Sequence, residues 1–376
     1  MNKNSGRKSS ATKKITPKKD IINPFVTEFQ QTCKTMNYTD QEMINKISSM
    51  IQQYDNQLRF VNYVLNAPLC KLLLKFLQKH TKLQQLTFYS CVIQDETFIQ
   101  TLSNEFPKNT ANCLSMDFMP VTREQILPLL NTPTLDILSL RGIQTLTSYD
   151  YKTHEERPFP LTLNQFFNTL STSSIKVLNL YDCHIGDVGA IAMANTLMFN
   201  TNLQCLSLAR NRIGDKGAIA LSKSLTNYVL SEQESVIVGM FISEENKSKI
   251  TDDGGNLAKK RKGQKPPPKK PPPKAVTKKG GSQRLQALIN FDPNASISPV
   301  VSEKWKLVEN SPDNQKIIPG NKTLNTLLLD ENEIKKDGIA ALKMMLSMNK
   351  YIINFSITKN LDVEEELLQS LTRKNE

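Results

Sequence analysis

Histidine and tryptophan are almost missing from this chain, with three of the first and one of the second in 376 residues. His80, His154 and His184 lie far apart and fit no HExxH spacing, so no metalloprotease helix can be drawn. There is no phosphate-binding GxxxxGK(S/T) loop, no GxGxxG and no GxSxG nucleophile turn. The six cysteines, Cys33, Cys70, Cys91, Cys113, Cys183 and Cys205, form no CxxC pair and no compact framework. Reduced thiols in an intracellular protein are therefore expected. No stretch of about 18 apolar residues occurs, so no membrane span is expected. Residues 1–20 are basic and polar with no apolar run behind them, which does not resemble a secretion leader. These absences predict a protein without a catalytic centre, cofactor, metal or small-molecule substrate.

Hydrophobic residues make up 39% of the chain, ample for one sizeable core or two small ones. The net charge of +12 is unevenly placed. Residues 1–20 hold seven Lys/Arg and one Asp, and residues 247–282 hold twelve Lys/Arg and two Asp. Those segments account for +16, leaving −4 for the rest. Basicity belongs to two polar segments and not to the fold, so a nucleic-acid partner is not expected.

The chain repeats itself. A frame LxLxx(N/C)xIGDxGAIA occurs from Leu178 and again from Leu206, 28 residues on. Extending an LxxLxL frame both ways gives seven copies: Leu83/Leu86/Phe88, Ala111/Leu114/Met116, Leu135/Leu138/Leu140, Ile175/Leu178/Leu180, Leu203/Leu206/Leu208, Leu324/Leu327/Leu329 and Ile352/Phe355/Ile357. All 21 slots are apolar, and their middle residues are spaced by 28, 24, 40, 28, 121 and 28. The 40 reflects a modest insertion around Tyr151–Pro160, and the 121 one of about 93 residues over a 28-residue period.

The period-2 part of the frame is a short strand with leucines inward. The run 217–225 after the loop has helical apolar spacing. Each unit is thus strand, loop, helix, burying its face only against neighbours, and helices wider than strands bend the stack into an arc. The expected fold is an α/β leucine-rich-repeat solenoid of ribonuclease-inhibitor type, with parallel strands on the concave face and helices on the convex one. Cys91, Cys183, Asn211, Asn332 and Asn360 occupy a loop slot where a polar side chain can satisfy backbone groups. Met119 and Ile143 stand in that slot in the second and third copies, which predicts irregular turns. Asp187, Asp215 and Asp337 suit N-terminal capping of their own helices.

The chain divides into a disordered basic tail (1–20), a helical N-terminal cap (21–80), repeats one to five (81–228), an insert (229–320), and repeats six and seven with a C-terminal cap (321–376). In the cap, Thr39 and Glu42 form a capping-box pattern before Met43, Ile47, Met50, Ile51 and Tyr54. A further helix starts near Pro68. Residues from Tyr228 read as an outward extension of the fifth helix. Residues 247–282 are too poor in apolar groups to fold alone, and the triple prolines at 266–268 and 271–273 favour extended polyproline rods. The segment 283–320, with Trp305, either docks back or waits for a partner. Val363–Arg373 reads as the last convex helix.

On the concave face the candidate contact residues are Tyr89, Asp117, Arg141, Tyr181, Arg210 and Asp330, among smaller polar neighbours. Tyr and Arg are the types enriched at interface hot spots. The plainer reading is that these residues coat a solvated sheet. Cys113 and Cys205 point to the same face, but two thiols fall short of a zinc site. His184, in a repeat loop, reads as structural or solvated. In the insert, Lys259, Lys260, Arg261 and Lys262 admit three readings, namely a nuclear address, a patch for acidic partners or a solvated linker. Lys269 and Lys270 extend the basic tract, and Lys265xxPro268xxPro271 matches a basic-first SH3-ligand pattern.

The repeats are similar to the ribonuclease-inhibitor superfamily, which includes Ran GTPase-activating proteins and NOD-like receptors. From 175 to 360 the order of features is narrower: two well-formed copies, a Lys/Pro-rich insert, then re-entry through Gly320, Asn321 and Lys322. That order resembles the leucine-rich repeat-containing protein 71 family over about half the chain. The resemblance implies a non-catalytic scaffold expressed with motile cilia and sited in the axoneme, and it carries no functional residues. Protein partners are therefore expected on the concave face and the insert. Acidic tubulin or axonemal proteins suit the +10 segment, whose attraction would weaken with salt. The alternatives are a regulator of a small GTPase, as in the Ran-activating relatives, and a nuclear adaptor.

Overall fold

Every copy of the repeat frame becomes one strand of a single parallel sheet. The computed structural model describes residues 23–54, 56–80, 82–106, 111–146, 149–150, 155–156, 161–230, 232, 235, 307–360 and 371. The sheet holds eight strands in chain order: β1 (Gln57–Val61), β2 (Gln85–Tyr89), β3 (Cys113–Asp117), β4 (Ile137–Ser139), β5 (Val177–Asn179), β6 (Cys205–Ser207), β7 (Thr326–Leu328) and β8 (Asn354–Ser356). Neighbours pair parallel and in repeat register, with Leu86 beside Leu114 and Leu178 beside Leu206. Alternation along each strand sends the frame residues beneath the helices, and all 21 are at most 2% exposed.

Among the described residues the α-helices are α1 (Pro24–Thr35), α2 (Gln41–Gln53), α3 (Ala67–Leu77), α4 (Phe98–Glu105), α5 (Arg123–Leu130), α6 (Leu161–Ser171), α7 (Gly186–Leu197), α8 (Asp215–Ser224) and α9 (Lys336–Met348). From α3 onward each connects two strands, and from α3 to α8 each packs on the next helix, so strands and helices stack as two layers around one continuous core. This is the α/β solenoid that the repeat spacing predicts.

The segment 21–80 holds more than helices. β1 pairs with β2 over five residues, adding an eighth repeat in which Leu58 and Phe60 are buried. Its first slot is Asp55, so the apolar frame begins one repeat too late in the sequence. Helix α2 is capped by Asp40, whose Oδ1 accepts from Met43 N–H at 3.0 Å, and not by Thr39. Glu42 pairs instead with Lys46 on the same helix. Phe29 of α1 meets Phe76 of α3 edge-on at 5.2 Å, closing the core at this end.

The large insertion leaves the stack undisturbed. β6 pairs with β7 in register, Leu206 beside Leu327, as adjacent repeats do. Helix α8 stops at Ser224, and Tyr228–Val229 is a strand, not a helical extension. It pairs antiparallel with Lys316–Ile318, which also pairs with Glu309–Asn310. Leu230 and Ile318 are buried there with Met198, Tyr228, Leu307 and Val308 packed against them. The insertion thus departs and returns through one small sheet at the helix-to-strand turn. Its basic tract, like residues 1–20, lies outside the described residues, as does Val363–Arg373 apart from Leu371. The smaller insertion contains an antiparallel pair, Tyr149–Asp150 with Glu155–Glu156.

Buried polar side chains tie successive repeats together. Asn332 Oδ1 accepts from Asn211 N–H and Ile213 N–H, while its Nδ2 donates to Leu208 and Leu329 carbonyls, all within 2.8–3.1 Å. Asn211 and Asn360 act in the same way, and Cys183 Sγ lies 3.0 Å from Leu140 O. A second row runs along the helix-to-strand turns through Asn200, Asn321 and Asn349. Asn321 donates to Leu197 and Asn200 carbonyls and accepts from Leu324 N–H. Asp187 does not cap its own helix. Its Oδ1 accepts from Gly214 and Gly217 N–H of the next repeat at 2.8 Å, and Asp215 does the same for Lys335 and Gly338. The glycine of IGDxGA is needed for this approach, since a Cβ on Gly217 would lie 2.7 Å from Asp187 Oδ1.

Candidate protein-interaction face

Each strand ends on one residue with left-handed backbone: Asn62, Ser90, Phe118, Gly142, Asp182, Arg210, Glu331 and Lys359. That conformation costs a non-glycine residue about 1–2 kcal/mol. It turns the N–H toward the following repeat, so Phe118 N–H donates to Arg141 O and Gly142 N–H to Tyr181 O. The residues just before the Met119 and Ile143 slots keep this bond, while Met119 and Ile143 have no amide side chain with which to join the polar ladder. Beyond Ile143 the chain enters a 3-10 turn, Gln144–Leu146, unlike the full repeats.

The outer ends of the strands form a rim on the helix-free face. There the chain brings together four of its six candidate contact residues. Tyr89 lies against Phe118 with ring centroids 5.4 Å apart. The Arg141 guanidinium sits 5.7 Å from the Phe118 ring centre and 5.1 Å from that of Tyr181. Arg210 Nη1 reaches the Tyr181 hydroxyl at 3.4 Å, and its Nε faces Asp182 Oδ1 at 3.6 Å. Tyr89, Phe118, Arg141, Tyr181 and Arg210 therefore make an unbroken aromatic–guanidinium row across five repeats. Cation–π contacts of this kind are worth roughly 0.5–1 kcal/mol at exposed sites, and they hold Arg141 without a carboxylate.

Phe118 did not stand out in the sequence because it sits in a slot filled elsewhere by polar or charged residues or by glycine. Its ring position depends on Gly142, where a Cβ would fall 2.2 Å from Phe118 Cδ1. An aromatic at one left-handed slot followed by glycine at the next was the available signal.

The other two candidates do internal work. Asp117, only 7% exposed, accepts from Ser139 Oγ at 2.7 Å and from Arg141 N–H at 3.1 Å. Asp330 accepts from Ser356 Oγ, Thr358 N–H and Thr358 Oγ1, fixing the end of the last strand. Both hold the neighbouring strand in place, and Asp330, whose backbone carbonyl accepts from Arg210 N–H at 2.8 Å, adjoins the end of the aromatic row. Lys259, Lys260, Arg261, Lys262, Lys269 and Lys270 fall outside the described residues.

Cys113 and Cys205 are half-buried on the open face in the same row but on β3 and β6. Three strand spacings, about 14 Å, separate them, so they cannot share an ion. Among the described residues no group of His, Cys, Asp or Glu could hold a metal, and no helix is long and apolar enough to cross a membrane. His184 Nε2 lies 3.7 Å from Asp182 Oδ1. Burial, reinforced by Arg212 and Arg210 and opposed by Asp182, lowers its pKa below the ordinary value. Burial raises the Cys183 thiol to about 12, so it serves as a neutral ladder residue.

Residues 173–194 and 199–222 match the family model described as Leucine Rich repeat. These matches cover the units carrying β5–α7 and β6–α8. No curated protein matches the chain. Eight parallel strands stacked in register, each followed by its loop slot, agree with those two matches, and the chain is a leucine-rich-repeat protein.

Proposed function

We propose that this protein is a non-catalytic scaffold that docks protein partners on the open face of its sheet, anchored by the rim from Tyr89 to Arg210. The observation that carries the reading is the clamped guanidinium of Arg141 between Phe118 and Tyr181. Side chains already ordered lose little freedom on binding, and Tyr and Arg are the types that dominate interface energetics. Leucine-rich repeats support protein–protein interaction as the general role.

Within that role we assign the scaffold to the motile cilium, as a structural or adaptor component of the axoneme. The resemblance of the 175–360 arrangement to the leucine-rich repeat-containing protein 71 family supports this. The +10 segment 247–282 suits a salt-sensitive tether to acidic tubulin surfaces. The test is localisation of tagged protein in ciliated cells, followed by detergent and salt extraction of isolated cilia. Retention in the axoneme after membrane removal is expected for the native chain, with weaker retention for Arg141→Ala/Tyr181→Ala. A diffuse or nuclear signal would remove the ciliary assignment.

A further inference from the structure

The open face is zoned by chemistry along the strands. The first positions of β3 to β6 are Cys113, Ile137, Val177 and Cys205, a partly buried apolar stripe. The third positions are Ser115, Ser139, Asn179 and Ser207, all small. The rim of Arg141, Tyr181 and Arg210 stands beyond them. Successive rows lie about 7 Å apart, so stripe and rim are separated by about 14 Å with a low floor between them. An α-helix, about 10–12 Å across with its side chains, fits that width.

The charge on the rim has a direction. Asp117 is 7% exposed and engaged by Ser139 and Arg141. The side chain of Asp182 is 19% exposed, against 56% for Arg210, which it faces. Along β3 to β6 the carboxylates Asp117 and Asp182 are tucked in and the guanidinium groups turned out. Beyond them Glu331 is an exposed carboxylate that acts on Arg210, and residues outside the two basic segments sum to −4.

We infer that the segment docked on this face is an acidic amphipathic helix of a partner protein. Its apolar edge would lie on the Cys113–Cys205 stripe and its carboxylates would reach Arg141 and Arg210. This rests on the docking face proposed above and adds the chemistry of the partner.

Cys113 and Cys205 serve as native reporters, because the other four cysteines are buried. The experiment uses the full chain and a synthetic 18-residue helical peptide with Glu on one face and Leu on the other. Iodoacetamide alkylation of each thiol is followed by mass spectrometry. The Glu peptide is expected to slow labelling of Cys113 and Cys205 at least fivefold, and a Lys-for-Glu version to leave it unchanged. Arg141→Gln/Arg210→Gln should restore the unprotected rates, with an unchanged melting curve showing that the variant is folded. Peptide binding without thiol protection would place the peptide elsewhere and overturn the inference. Equal protection by the Lys peptide, or protection that survives in the double variant, would overturn it as well. A partner cross-linked to the rim through a non-acidic segment would refute this inference while leaving the docking face intact. An absence of any partner at the rim would refute the docking face itself.

Discussion

The carboxylate of Asp215 accepts the backbone N–H of Gly338, 123 residues further along the chain, at 2.8 Å. Asp187 makes the equivalent bond to Gly217 over 30 residues, at the same distance. The solenoid therefore treats residues on either side of the insertion as adjacent repeats. An acidic side chain at the N-terminus of the next helix also meets the positive end of its dipole.

Removing this cap should cost about 1–2 kcal/mol. Asp215→Ala is expected to lower the urea midpoint and to speed amide exchange in α9 more than in α7, because repeats couple chiefly to their neighbours. Equilibrium unfolding and hydrogen exchange check both parts. Equal exchange changes in α7 and α9 would argue against a local cap.

If the stack is continuous through the insertion, residues 231–306 are dispensable for folding. Replacing them with a short Gly/Ser link should preserve the circular dichroism spectrum and leave the unfolding midpoint nearly unchanged. Closing a shorter loop alters the entropy only slowly with length. Loss of protection in β7 and β8 would show instead that the insertion holds the last repeats on.

Asn332 is the most heavily bonded ladder residue that the sequence pointed to. Asn332→Ala strands two N–H groups and two carbonyls in a buried turn, at about 1–3 kcal/mol for each group left unsatisfied. We expect a loss of at least 3 kcal/mol in urea unfolding. Asn332→Cys should lose less, since Cys183 fills the same slot with a single close sulfur contact to Leu140 O.

His184 gives a pH signature. Its native pKa lies below the unfolded value of about 6.5, so between the two the unfolded chain holds a proton that the native chain lacks. Stability therefore rises with pH through that window, is fully present above about 6.5, and is lost as pH falls. Urea midpoints at about pH 5 and 7.5 should differ less in His184→Gln than in the native chain. An imidazole NMR titration midpoint above that of a model peptide would contradict the assignment.

Much of this architecture is legible in the amino-acid order. Seven of the eight strands follow from apolar slots, and the loop slot of Asn211, Asn332 and Asn360 does what its spacing suggests. β1 was hidden because Asp55 breaks the frame at its first slot. The Asn200–Asn321–Asn349 row was hidden because it lies before the frame, where other repeats carry His80 or Thr132. Tyr89, Arg141 and Tyr181 could be placed on one face from the strand period alone, with Arg210 at the strand edge. Their stacking could not, because it depends on left-handed residues between strand and loop. Asp117 and Asp330 show the complementary error, since exposed-looking carboxylates at strand ends can be consumed by the next strand.

The docking face itself is tested most directly by a photo-reactive amino acid placed at Tyr181 in the full chain in cells, with Ile191 as the comparison. Ile191 is 40% exposed on α7, on the helical side of the stack. Cross-linked protein partners at position 181, absent at 191 and reduced by Arg141→Ala, are the expected result. Cross-links at 191 with none at 181 would contradict the account and move the interaction surface to the helices.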